Sequence, residues 1–179
     1  HDQQIREMQS ERSELERELY LQALHKTASM SLIQYEVSNF AKADFQSRSN
    51  LKVWDGQPYL GLGCGAHSFD GVNRWGNVRS MRKYMESVGR EEPPRDFMET
   101  PTRLQQASER LMLSLRRPEG LNILSWQEEF QIGLSLEQKN QMEKLKDQDL
   151  VSWESPILKL TTEGMLLADA ITAELMPEA

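Results

Sequence analysis

The run Gly61-Leu62-Gly63-Cys64-Gly65-Ala66-His67-Ser68 concentrates the residues with chemical potential. Glycines at alternate positions remove side chains from one face of a strand or turn, so a flat or charged ligand can approach the backbone closely. The spacing is not the dinucleotide fingerprint, because the third glycine comes one position too early. A tightly packed strand end or bulge uses glycine in the same way, and residue types alone leave both uses open. Cys64 and His67 stand three apart, the residue types of a thiolate and its base. A lone cysteine is more often a small buried hydrophobe, which is the better reading here. His67 and Asp70 could be two metal ligands, but no third or fourth is evident nearby. His25 falls among polar neighbours and reads as solvated, and His1 is terminal and uninformative.

Aromatic residues gather around the glycine run. Tyr35, Phe40, Phe45, Trp54, Tyr59, Phe69, Trp75 and Tyr84 all fall between residues 35 and 84. Such a set could stack on a flat conjugated ring, but building the core of this half is the favoured reading from residue types alone.

The whole chain narrows these options. Its 179 residues suffice for one medium domain or two small ones. With 28 acidic against 21 basic side chains the formal charge is −7, which works against a broad phosphate-binding surface and so against a nucleic-acid partner. No run approaches the roughly 20 apolar residues of a transmembrane segment. A single cysteine, Cys64, excludes a disulfide scaffold, a multi-cysteine zinc site and a self-contained iron–sulfur site. A reducing, cytoplasmic setting is the default. Because the chain opens on His1 in a polar segment without a capping signal, it reads as a piece of something longer or as a processed product.

Several elements must position these residues. Ile5, Met8, Leu15, Leu19 and Ala23 recur at helical steps and predict a helix over 2–28. Residues 32–37 read as a strand, 38–58 as irregular, and 59–63 as a second strand. A looser stretch follows through Trp75-Gly76-Asn77, and Ser80 caps a helix over 81–88. The proline-, glycine- and charge-rich segment 91–99 predicts a linker between a unit spanning 1–90 and another spanning 100–179. In the second unit Thr100-Pro101 opens a helix with the stripe Leu104, Ala107, Leu111 and Leu115. Ser125 opens a short helix holding Trp126 and Phe130. Ser135 and Gln138 form a capping box for a helix with Leu136, Met142 and Leu145 on its apolar side. Runs 150–153 and 157–160 predict a hairpin, and Thr161 caps a last helix carrying Leu167, Ala170, Ile171 and Leu175. Helix, helix, helix, hairpin, helix is a winged-helix-like order. Its candidate recognition helix, 136–147, mixes Lys139, Lys144 and Lys146 with Glu137, Glu143 and Asp147, so it lacks the basic stripe of a DNA reader.

Three ordered motifs carry a family resemblance. Gln34-Tyr35-Glu36-Val37-Ser38-Asn39-Phe40-Ala41, then Asn50-Leu51-Lys52-Val53-Trp54, then Tyr59 through Ser68 resemble the oxygen-independent coproporphyrinogen III oxidase family, and within it the radical SAM haem chaperone (HemW) branch. Glu109-Arg110-Leu111-Met112-Leu113 with Glu119-Gly120-Leu121 is similar to the start of that family's C-terminal domain. Leu158-Lys159-Leu160-Thr161 with Glu163-Gly164 is similar to its end. The resemblance spans about residues 15–175. It implies the tail of a partial (β/α) barrel over 1–90, followed by a helical, winged-helix-like domain over 100–179: α/β plus α+β.

By the same resemblance the full-length family holds a 4Fe-4S cluster on Cys-x3-Cys-x2-Cys and uses S-adenosylmethionine. Those cysteines are absent here, so this chain alone is expected to hold no cluster and to generate no radical. The chaperone branch shows His-Asn-x-x-Tyr-Trp in the middle motif, associated with haem. Here Ser49 and Val53 replace the histidine and tyrosine, while Asn50 and Trp54 remain. Gly61, Gly63, Gly65, Ala66 and His67, with Asn50 and Trp54, are thus candidates for the wall of a cofactor and substrate cavity, and His67 is the remaining imidazole near it. The expected function is haem handling as part of a chaperone, with haem or porphyrin and a haem-recipient protein as partners. The alternatives are part of a coproporphyrinogen III oxidase and, from another class, a non-catalytic binding module.

Overall fold

The computed structural model describes residues 2–177, with side chains from residue 14 onward. Helix α1 (Asp2–Ser29) leads into strand β1 (Ile33–Glu36), which pairs antiparallel with β2 (Asn39–Ala41). Ile5 and Met8 of the expected stripe, and His1, lie outside the described side chains. Leu15 and Leu19 of that stripe are exposed, as is Ile33 on β1. This apolar surface has no cover within the described residues.

The segment 38–58, expected to be irregular, holds β2 and a short helix α2 (Arg48–Trp54). Ser47 caps α2 by accepting a hydrogen bond from the Asn50 amide at 3.3 Å. The expected strand over 59–63 does not form. Tyr59 makes an isolated bridge to Phe69, after which the chain leaves the ladder, because Gly63 and Gly65 take positive φ. The strand lies just downstream instead. β3 (His67–Phe69), β4 (Arg74–Asn77) and β5 (Arg95–Glu99) form an antiparallel sheet in that order. The stretch expected to be loose thus contains β4. It is brought back onto β3 by Asp70, whose Oδ1 accepts from the Val72 and Asn73 amides at 2.8 and 2.6 Å. Those backbone hydrogen bonds, the Asn73 amide's above all, hold the Asp70 carboxyl below its ordinary pKa. Helix α3 (Met81–Gly89) is capped by Ser80 as expected. The segment 91–99 is not linker throughout. Its second half is β5, drawn into the sheet by β4, and the Val78 amide extends the pairing by donating to Pro94 O at 2.8 Å.

From residue 102 the architecture is winged-helix-like: α4 (Arg103–Leu115), β6 (Leu121–Asn122), α5 (Ile123–Phe130), α6 (Leu136–Asp147), the β7 (Val151–Glu154)–β8 (Ile157–Leu160) hairpin, and the short helices α7 (Thr162–Leu166) and α8 (Ala168–Glu174). Strand β6 joins the hairpin, giving the order β6-β8-β7. Ala107, Leu111 and Leu115 of α4 are buried with Trp126, Phe130, Met142, Leu145, Leu158, Ile171 and Leu175 in one core. Trp126 donates its indole N–H to Ala107 O at 2.9 Å, which satisfies its polar atom inside that core. The caps differ from expectation at two helices. Thr102, not Thr100, caps α4 in a box with Gln105. Asn122, not Ser125, caps α5 through its side chain. The Ser135–Gln138 box forms as expected, but Leu136, at the first position of α6, is exposed. The last helix divides at Leu167, which is exposed with Ala170, while Ile171 and Leu175 face the core.

Candidate functional site

The glycine run is a loop stitched onto one end of the β3-β4-β5 sheet by side chains. The Gly61 amide donates to Ser68 Oγ at 2.9 Å, and Ser68 is fully buried. The Gly63 amide donates to Tyr84 Oη of α3 at 3.1 Å. Asn77 Nδ2 donates to Gly63 O at 2.9 Å and to Gly61 O at 3.4 Å. The Gly65 amide donates to Val78 O at 3.0 Å, and Ala66 O accepts from the Asn77 amide at 2.8 Å. A Cβ at position 61 would stand 2.1 Å from His67 O, so only glycine lets the loop lie this close to β3. Cys64 is half-buried with a free thiol, and the structure gives no hydrogen bond between it and His67.

His67 projects from β3 into solvent. It pairs with Gly76 on β4, and Gly76 pairs with Phe97 on β5. A Cβ on Gly76 would meet the Phe97 ring at 2.5 Å, so the bare glycine lets that ring cross the strand. Phe97 then reaches His67 in an edge contact, with centroids 5.6 Å apart at 61°. The imidazole packs against that ring edge and stays exposed. On β4 and β5 the Arg95 guanidinium lies 4.8 Å over Trp75.

Asn50 and Trp54 belong to a different part of the molecule. Both sit on α2, which buries none of its residues. Asn50 Nδ2 reaches Tyr35 Oη at 3.5 Å, so the first two motifs meet there. Ser49 is exposed on the same helix. Past Trp54, Asp55 is the C-cap, and it is tied to the C-terminal half: Arg110 donates to Asp55 O at 2.9 Å, and Arg117 pairs with the Asp55 carboxylate. No hydrogen bond joins α2 to the glycine loop among the described residues. The seven candidate residues thus fall into two groups: Gly61, Gly63, Gly65, Ala66 and His67 on one sheet end, and Asn50 and Trp54 on α2.

Two clefts adjoin these groups. One, of about 190 Å³, is lined by Val53 and Gly56 from the end of α2, Tyr59, Phe69, Pro101, and Met112 and Leu113 from α4. Its polar wall is Arg74, which is already paired to Glu109 at 2.7 Å and to Glu99 at 2.8 Å. The volume is below the roughly 300–1,000 Å³ of sites that enclose drug-sized ligands, so this cleft does not enclose a porphyrin. The other is a shallow cleft beside the glycine loop, where Gly61 lies with Leu60, Leu62, Trp75, Tyr84 and Arg95. Leu60 and Leu62 are strongly exposed.

Sequence reasoning assigned no role to Ser68, Asn77 and Phe97, which build the loop and pack on His67, or to Arg110 and Arg117, which hold α2. Tyr84 is legible as an aromatic, but not as the hydroxyl that accepts from the loop. A usable signal existed for the arginines. Seven residues apart, they complete two helical turns and lie on one side of α4 and its following turn. For His67 and Asp70 as a metal pair the structure offers no support, since no group of three or more His, Cys, Asp and Glu side chains able to hold a metal occurs among the described residues. Nor is any helix among them long and apolar enough to cross a membrane.

No family model matches the chain. It is 30% identical over 166 residues to a protein of Bacillus subtilis named heme chaperone HemW, covering 92% of this chain and 44% of that protein. A Mycobacterium tuberculosis protein of the same name is 31% identical over 142 residues, which is 79% of this chain and 34% of the relative. Among solved structures, coproporphyrinogen III oxidase (HemN) from Escherichia coli, described as a radical SAM enzyme, superposes with a TM-score of 0.69 at 16% identity, covering 87% of this chain and 39% of that one. At that identity the likeness is one of fold. It bears out the mixed class expected from the sequence, although every strand pair within the described residues is antiparallel. The chain spans less than half the length of the relatives it matches.

Proposed function

From its homology to the heme chaperones named HemW, which runs through 92% of the chain, we propose that this chain is the C-terminal portion of a HemW-like protein and takes part in handling haem in the cytoplasm. The observation that carries the reading is that single alignment, which crosses both halves of the chain and therefore both the glycine loop and the winged-helix-like domain. Two units divided near residue 100 fit the reading, the first completing a barrel and the second packing on it through α4.

The fit to each cofactor differs. A 4Fe-4S cluster needs several thiolates, and Cys64 is the sole cysteine. The residues present do not fit it, and no radical step is assigned to this chain. Haem is cargo in this reading. Serine is a poor iron ligand compared with imidazole, so Ser49 cannot do what a histidine would do in the middle motif. His67 takes that role: it is exposed, its ring packs against Phe97, and its strand is anchored through Ser68 and Gly61. Gly61, Gly63, Gly65 and Ala66 keep the neighbouring wall low enough for a flat macrocycle. Asn50 and Trp54 supply a second contact from α2. Delivery to a haem-recipient protein is the corresponding partner step.

Titration of hemin into the purified chain tests the proposal. The expected result is saturable binding near one equivalent with a displaced Soret band. Absorbance that rises linearly, as for hemin in buffer, would overturn it.

A further inference from the structure

We infer that Arg110 and Arg117 are positioning residues for α2, so that the C-terminal half sets the placement of Asn50 and Trp54. Any consequence of this for haem binding rests on the proposed haem-handling function. Helix α2 has seven residues and buries none of them. A helix that short is not held by its own hydrogen bonds, and with Asn50, Leu51 and Trp54 only half-buried and its other residues exposed, apolar packing holds it weakly. Its partners are polar. At one end Ser47 caps it, and on one side Asn50 reaches Tyr35 at the long distance of 3.5 Å. At its C-terminal end the carbonyls present partial negative charge, where cations are favoured. Two guanidinium groups meet that end. Arg110 donates to the main-chain oxygen of the C-cap, Asp55, at 2.9 Å, and Arg117 pairs with the Asp55 carboxylate.

Each arginine also has a carboxylate nearby, although Arg117 Nε makes no hydrogen bond. Arg117 Nε stands 3.2 Å from Glu119, and Arg110 stands 3.7 Å from Glu129. The Arg117 side chain is only 18% exposed. The chain turns away under the guanidinium of Arg110 at Gly56, where φ is +65° and a Cβ would lie 3.4 Å from Arg110 Nη2. These contacts span 55 and 62 residues of sequence, from α4 and the turn after it to the end of α2. The strongest described link on α2 therefore comes from the other half of the molecule.

Hydrogen exchange on the full chain, followed residue by residue, tests this. The variants are Arg117→Gln, Arg110→Gln, Arg117→Lys and Asp55→Asn. Loss of either arginine contact should speed exchange of the α2 amides by about 5- to 30-fold, the ratio that 1–2 kcal/mol represents, with the amides of α4–α6 unchanged. Lysine at 117 keeps the charge but not the fork, so it should restore part of the protection. Asp55→Asn changes the α2 side of the Arg117 contact alone, since Arg110 bonds the main-chain oxygen, and leaves α4 intact, so it must reproduce the Arg117→Gln effect even if that variant loosens α4. Unchanged α2 exchange in Asp55→Asn overturns the inference for Arg117, and unchanged α2 exchange in Arg110→Gln overturns it for Arg110. Hemin affinity of the same variants is read alongside, and it should weaken by a similar factor. Wild-type chain that binds no hemin would defeat the haem reading while leaving the exchange result to decide the role of the arginines.

Discussion

Replacing Gly61 by alanine places one methyl group where the structure has no room for it. The new Cβ would stand 2.1 Å from His67 O, against the 3.4 Å at which ordinary contact begins, so the two backbones must part by about 1.3 Å. Both sides are backbone, and no flexible side chain can yield. Overfilling a packed site costs about 1–3 kcal/mol. Parting also breaks the bond from the Gly61 amide to Ser68 Oγ, which is 0% exposed and would be left without that partner. Loss of a buried partner costs about 1–3 kcal/mol more. A total near 3 kcal/mol lowers the melting temperature of a chain this size by about 6–12 °C, at roughly 2–4 °C per kcal/mol. Gly63→Ala is the control. Gly63 has φ +102° and no atom within 4 Å of its Cβ position, so the substitution meets backbone strain alone, about 1–2 kcal/mol. Thermal unfolding of the three proteins by circular dichroism gives the comparison. If Gly61→Ala melts no lower than Gly63→Ala, the close approach of loop and strand is not what holds this end of the sheet.

Two further outcomes come from named contacts. Gln138→Ala removes a buried side chain that accepts from the Ser135 amide and donates to Leu175 O, both at 2.9 Å, and should cost about 2 kcal/mol in urea unfolding, while Glu137→Ala beside it stays within about 0.5 kcal/mol. Glu163 accepts from Arg17 Nε at 2.8 Å, and that hydrogen bond and the arginine's charge hold its carboxyl below the ordinary 4.5. The stabilisation is present above the unfolded-state pKa and is lost as pH falls through the lower folded-state value. Carboxyl NMR should therefore find the Glu163 midpoint below 4.5, and Arg17→Gln should return it to that range.

The C-terminal half was the more legible part of the sequence because its main helices carry their own apolar stripes and caps. The 107-111-115 stripe and the Ser135–Gln138 box work through local spacing, and the structure uses both. The cap of α4 was legible too: Thr102 and Gln105 form a box that the neighbouring Thr100-Pro101 obscured. In the first half, strands of three to five residues are held by pairing with one another across the sequence. β5 is exposed along its whole length, so it has no apolar alternation to betray it, and two prolines before it suggest a linker. Its strand state comes from pairing with β4. The site divides in the same way. Glycine spacing marked the loop, but the line His67, Gly76, Phe97 exists only across three strands. The tie from Arg117 to Asp55 spans 62 residues, so the seven-residue spacing of the arginines marks a shared side of α4 but not the residue they meet.

In the proposed function His67, rather than Ser49 of the middle motif, is the iron ligand. The most direct measurement is the absorption and resonance Raman spectrum of the hemin complex in the wild-type chain, His67→Ala and His25→Ala. An imidazole-ligated spectrum is expected in wild type and His25→Ala, lost in His67→Ala and restored by added imidazole. An unchanged spectrum in His67→Ala would contradict it.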